Sequence, residues 1–326
     1  MEFKGIAAML LASVALAACG GGDSSGSGGG SIGSPSPSPS PSPSPTPTFN
    51  YEKFDELSGD QSFYTACVGS NPVWIGTGSG DVPPSMMGIS VFGQDDLVNY
   101  NATDESWLVR IVNGQSETFL PSDLATSTGP VRIYNRTTDF NLEVLEIETL
   151  GTGSMLREYS RELFFSLADS YSELGTSYCS IGIPTDPEDL PPETVVTYDD
   201  FDFRGAMYEK VGDKVESRRI IGGTATVTGN TETGALDVSF SLEVEITGGG
   251  SQFYGPFSGE TGTSVDTDRV GYFGQVNVGG TPEFFVSGGF FGPQGTETTF
   301  VFAGNVDQDF DGYNERYFVG RASAKR

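Results

Sequence analysis

Between Leu236 and Ile246 the chain alternates without error. Leu236, Val238, Phe240, Leu242, Val244 and Ile246 are apolar, while Asp237, Ser239, Ser241, Glu243 and Glu245 between them are polar. A period of two belongs to a strand with one buried and one wet face. The stretch Asn230 to Gly234 supplies the turn before it. Further strands are predicted at Gly205–Glu209, Ile220–Thr228, Phe253–Glu260, Val270–Val278, Glu283–Phe291, Thr296–Ala303 and Arg316–Arg321. Short strands with turn signals every roughly 10 to 17 residues suit a closed antiparallel barrel of eight strands, which also removes exposed edges. Gly271, Gly274, Gly288 and Gly289 fall inside these strands and fit the tight bends of a small barrel wall.

Upstream, 49–182 is mostly β with long polar loops. Trp107 to Val112 and Val131 to Tyr134 read as strands, and Asn141 to Ile147 continues the alternation with a slip at Leu145 that suggests a bulge. Residues 155–174 stay open between two periods. Leu156, Tyr159, Leu163, Phe164 and Leu167 fit a helical stripe after a Ser154 cap, whereas Leu163, Phe165 and Leu167 alternate as in a strand. From Ile183 to Thr194, four prolines (Pro184, Pro187, Pro191 and Pro192) deny the backbone donors, which marks a boundary or crossing segment. The fold class is therefore all-β, with a minor helix left open, as a β-rich domain over 49–182 followed by the barrel over 183–326.

The N-terminus reads as an address and a tether. Lys4 gives the positive charge, Ile6 to Leu16 a short apolar core, and Leu16-Ala17-Ala18-Cys19 a lipobox. This run is too short to cross a hydrocarbon layer of ~30 Å, so residues 1–18 are expected to be a removed signal peptide. An ordinary secretory signal is the alternative. The cysteine at the cleavage point, followed at once by Gly and Ser, favours lipidation of Cys19, and several acyl chains on one cysteine anchor stably. Gly20 rather than Asp after the cysteine implies outer-membrane sorting. Residues 19–48 form a linker that is Gly/Ser-rich to Ser34 and alternates Pro and Ser from Pro35 to Pro45. Proline at every second position favours polyproline II, so 35–48 would reach on the order of 40 Å at ~3.1 Å per residue.

Composition excludes several functions. The formal charge is −27, spread along the chain, which repels nucleic acid and suits solubility, cation binding or a basic protein partner. Histidine is absent. That removes Ser-His-Asp and Cys-His catalysis and the commonest zinc, copper and haem ligand. Besides Cys19 the chain has only Cys67 and Cys179. In an exported protein they are expected to form a disulfide closing a loop of just over a hundred residues, for which chain entropy gives roughly 4–5 kcal/mol.

The run Gly288-Gly289-Phe290-Phe291-Gly292-Pro293-Gln294-Gly295-Thr296-Glu297 resembles the Gly-x-Phe-Tyr/Phe-Gly-Pro-x-Ala/Gly-x-Glu signature of the C-terminal barrel in the transferrin-binding protein B family and its lipoprotein relatives. Ile183 to Pro191 with Tyr198 is similar to the entry segment of that barrel, and Thr231 to Ile246 to its turn and long strand. The resemblance covers roughly 183–326. It implies a handle-like domain over 49–182, surface-lipoprotein character, and an outer-membrane translocon or receptor as a partner. The family's full receptors have two lobes, each a handle plus a barrel, where this chain has one of each. No ligand-contacting residue carries over. Within the signature, Gly292 and Pro293 are expected to make the hairpin turn, Phe290 and Phe291 to point to opposite faces, and Glu297 to satisfy backbone donors at the turn.

Asp307, Asp309 and Asp311 sit at positions one, three and five of a loop with Gly312 at six, and Glu315 could add oxygen. That spacing turns carboxylates onto a hard cation such as calcium. The bidentate Glu at position twelve is missing, since Phe318 stands there, and the competing reading is a solvated acidic hairpin tip. No other cofactor is expected. The sequence as a whole points to a non-catalytic, lipid-anchored outer-membrane protein, displayed at the cell surface, that binds a protein or small solute of the nutrient or iron-source type. The alternative is a calcium-stiffened structural or adhesive lipoprotein.

Overall fold

Two runs of alternating β-branched and aromatic residues build two antiparallel sheets. The computed structural model describes residues 49–71, 85–94, 98–110, 116–138, 141–151, 153–169, 173–211, 214–231, 233–266, 269–278, 281–306 and 316–326. The signal peptide, Cys19 and the linker lie outside them, as do Asp307, Asp309, Asp311 and Glu315.

The first sheet, the handle, is built from β1 (Gln61–Asn71), β2 (Ser85–Ile89), β3 (Val98–Asn101), β4 (Ser106–Arg110), β5 (Ser116–Phe119), β6 (Leu124–Thr128), β7 (Val131–Thr137), β8 (Asn141–Glu148), β9 (Ser160–Asp169) and β10 (Glu173–Gly182). Its order is β5-β4-β3-β1-β10-β9-β8-β7-β6, with β2 on the second half of β1. The sheet curls around a core of Phe63, Trp107, Phe119, Leu145, Leu163 and Phe165. Cys67 and Cys179 stand directly opposite each other on β1 and β10 and form the expected disulfide inside this core.

Two sequence expectations are settled here. Residues 160–169 form a strand, not a helix, and the alternating set Leu163, Phe165 and Leu167 is buried. As a strand the segment buries that set in the handle core while its backbone pairs with β8 and β10 on either side. The bulge at Leu145 is absent, because β8 pairs in unbroken register with β7 and β9. The apparent slip has another cause. Glu143 occupies an inward position beside Leu145 and Ile147, held by the Arg136 guanidinium. A paired carboxylate at a buried site breaks the apolar pattern without breaking the strand.

The second sheet contains β11 (Val195–Tyr198), β12 (Phe201–Val211), β13 (Lys214–Asn230), β14 (Ala235–Glu245), β15 (Ser251–Asp266), β16 (Arg269–Val278), β17 (Thr281–Phe291), β18 (Glu297–Val306) and β19 (Arg316–Lys325). Strands β12 to β19 close into an eight-stranded antiparallel barrel through the β12–β19 and β13–β14 pairings. The short β11 was not expected. It runs along β13 beyond the end of β12 and extends the wall there. On β14 Leu236, Val238, Phe240, Leu242 and Val244 all point inward. They meet Phe203, Phe257, Phe284, Phe300, Phe302 and Phe318 along the axis. The rings touch in a continuous chain, with centroids 4.2 Å apart for Phe257–Phe284, 5.4 Å for Phe240–Phe302 and 5.7 Å for Phe284–Phe318. An eight-stranded barrel is just wide enough for its own side chains, and this one is packed with aromatic rings.

Candidate functional site

The residues of the Gly288–Glu297 motif serve the seam between handle and barrel. Phe290 packs toward the barrel core, whereas Phe291 points outward and is buried among handle residues Ala66, Val68 and Phe92. Phe92 stands edge-on to Phe291 at 5.4 Å. Its ring lies flat on the barrel wall over Gly271 and Gly289, where a Cβ would come within 2.6 Å of ring atoms. Gly271 and Gly289 pair across β16 and β17, so they form one smooth seat. These strand glycines therefore give room to aromatic rings rather than bends to the wall. Gly288 does the same for the Tyr272 ring on the inner face. Gly292 takes φ +71° at the turn and faces the Tyr159 ring of the handle at 2.4 Å from where a Cβ would stand, so only glycine fits on both counts.

Glu297 is fully buried. Its carboxylate accepts the backbone N–H of Glu158 at 2.5 Å, that of Tyr159 at 3.2 Å, and the Ser160 hydroxyl at 2.7 Å. The donors belong to the start of β9 in the handle, not to the turn beside Glu297. Gly292 in the turn bonds elsewhere: its N–H donates to the Ile183 carbonyl at 3.0 Å, and its carbonyl accepts the Thr185 hydroxyl at 2.8 Å. Burial pushes the Glu297 carboxyl up, and the Ser160 and backbone hydrogen bonds push it back down. Each buried donor left without this acceptor would cost about 1–3 kcal/mol.

A second lock is ionic. Arg321 of β19 is buried between Glu162 at 3.1 Å and Glu148 at 3.2 Å, both from the handle. Arg204 of β12 reaches the other oxygen of Glu148 at 2.7 Å, and the Ser180 hydroxyl donates to Glu162 at 3.0 Å. Burial pushes the Glu162 carboxyl up to about 7, against the pull of Arg321 and Ser180. Sequence reasoning missed Glu162, Arg321 and Phe92. The first two read as ordinary polar positions on strands, and their pairing across 159 positions leaves no local signal.

The described residues line several surface openings. Beside the ionic lock, a cleft of about 590 Å³ lies between the sheets, with Phe164, Thr176 and Tyr178 on one wall and Arg204, Tyr208 and Ile221 on the other. On the handle, Asp60, Gln61, Asn99, Tyr100 and Asn101 line a polar depression of about 490 Å³. At one end of the barrel is an apolar pocket of about 80 Å³. Among the described residues no group of three or more His, Cys, Asp or Glu side chains is gathered as for a metal ion.

No family model matches the chain, and no curated protein matches it. Among solved structures it is similar to a double mutant of Transferrin Binding Protein B (TbpB) from Haemophilus parasuis Hp5, with 13% identity over 80% of this chain and 44% of that one, at a TM-score of 0.44. Intact Ap-TbpB, with N and C lobes, is 11% identical over 80% of this chain and 46% of its own, also at 0.44. The haemoglobin receptor HpuA from Kingella denitrificans is 14% identical over 81% of this chain and 87% of that one, at 0.34. This chain thus spans under half the length of the TbpB structures it matches.

Proposed function

We propose that this protein is a lipid-tethered outer-membrane binding protein that presents a protein partner with the outer surface of a locked handle and barrel. One observation carries the reading: the barrel axis is packed with phenylalanine rings. A barrel that holds a small solute keeps its axis open, so the binding surface here is the outside. The two locks support the same reading. Glu297 and Arg321 tie handle and barrel together across the seam, and a preorganised surface loses little entropy on binding. The lipobox at Cys19 and the Pro-Ser stretch supply the anchor and the reach. The chain has no histidine, nucleophile motif or cofactor fingerprint, which supports a role in binding.

Two measurements test this. Labelled palmitate should enter the wild-type protein and not Cys19→Ala, and protease added to whole cells should remove the wild-type protein. A protein that takes up no label and resists protease overturns lipid-anchored display. For binding, transferrin and haemoglobin, the proteins named for the similar structures, are the first probes over the immobilised full chain, followed by whole serum. Retention that free chain competes away is expected, and retention of nothing overturns the protein-partner reading.

A further inference from the structure

The apolar pocket at the barrel end is preformed, and the segment that supplies part of its wall is acidic. Leu190, Pro191, Val196, Tyr198, Leu236 and Phe290 line it. Nearby polar side chains are turned to backbone: the Tyr198 hydroxyl donates to the Gly295 carbonyl, and the Thr231 hydroxyl to the Glu193 carbonyl at 2.9 Å. Its volume of about 80 Å³ is roughly half that of a cavity that takes benzene, which suits one aliphatic side chain and little more.

The wall is held in place before any partner arrives. The Thr185 N–H donates to the Phe290 carbonyl at 2.9 Å, the Thr231 N–H to the Thr194 carbonyl at 3.0 Å, and the Gln294 N–H to the Asp189 carboxylate at 3.0 Å. The segment that supplies Leu190 and Pro191 also carries Asp186, Glu188, Asp189 and Glu193. Against these four acids stands Arg326, 3.6 Å from Glu193. The segment therefore adds locally to a chain already at −27. A preformed apolar pocket beside a segment with four acids against one arginine has the anatomy of an interface hot spot, in which an apolar anchor gives the affinity and the surrounding charge gives steering.

We propose that this pocket anchors the partner, taking one Leu, Ile or Met side chain from a protein segment with Lys or Arg on either side of it. The inference rests on the protein-binding reading above and names the place and the chemistry. Random heptapeptides displayed on phage and selected on the full chain test it. The enriched peptides should share one aliphatic residue flanked by basic ones. A synthetic copy should lose about tenfold or more in affinity for Ala235→Phe, which places a ring at the pocket wall. It should bind more weakly, and with a smaller salt dependence, to Glu188→Lys, an exposed change that leaves the pocket intact. Selected peptides that lack basic residues, that bind Ala235→Phe as well as the parent, or that fail to emerge at all overturn the inference. Retention of serum protein by the chain would survive each of those outcomes, so the two readings fail separately.

Discussion

Buried carboxylates tie this molecule together, and Glu162 is the most perturbed of them. It is buried, and its neighbours are Arg321, Ser180 and Glu148. Its folded pKa of about 7 lies above the ordinary carboxylate value of 4.5. The folded state therefore keeps the Glu162 proton at pH values where the unfolded chain has released it. The sign follows: the stability that this group contributes is fully present below about pH 4.5 and is lost as the pH rises through about 7. Glu162→Gln fixes the neutral form and should flatten the pH profile. Melting temperatures of parent and variant, compared from pH 5 to 8, should shift in the variant's favour as the pH rises. Parallel profiles would show that Glu162 does not titrate in that range. Glu162 could not be singled out among 44 acids by type or spacing, and the Gly288–Glu297 motif marked Glu297 without showing that its donors lie in the handle, since burial and partner belong to the fold.

At the scale of elements, strand glycines set how closely handle and barrel approach. Phe92 sits in a turn after β2, and its N–H donates to the Ser287 hydroxyl at 3.1 Å. Its ring covers Gly271 on β16 and Gly289 on β17. Side chains added there meet the ring and not open space, so Gly289→Val should destabilise by about 1–3 kcal/mol, read from urea unfolding. The cost should shrink in a Phe92→Ala background, where the ring is gone. An equal cost in both backgrounds would mean that the glycine serves the wall itself. The elements were unevenly legible. All eight barrel strands could be read from the sequence as short apolar runs bounded by turn residues; β14 also alternates cleanly between a wet and a buried face, whereas β18 and β19 are buried on both. The break at Leu145 looked like a bulge because Glu143 faces inward, and its partner Arg136 lies on another strand. β11 was hidden in a Pro-rich stretch where local chemistry speaks only of a boundary.

At the scale of the whole molecule, handle and barrel share a third apolar cluster. Ala66, Val68 and Phe92 of the handle interleave with Phe291, Val301 and Val319 of the barrel. With the Glu297 and Arg321 locks across the same seam, the two sheets should unfold together. The chain provides a built-in probe, since its two tryptophans, Trp74 and Trp107, both precede the barrel. Tryptophan fluorescence should report the handle, while circular dichroism reports both sheets. Coincident urea midpoints are expected, and a fluorescence transition well separated from the dichroism transition would make the halves independent. By itself the sequence determined the all-β class, the eight barrel strands and the cysteine pair, because strand period, turn residues and cysteine count are properties of neighbours along the chain. The tertiary structure decided what the Gly288–Glu297 motif is for, where the buried charges pair and where an apolar pocket opens beside an acidic segment. Those depend on residues from different strands, many of them more than a hundred positions apart as in Glu162–Arg321 and Ser160–Glu297, coming together in the fold, and no local pattern encodes such a meeting.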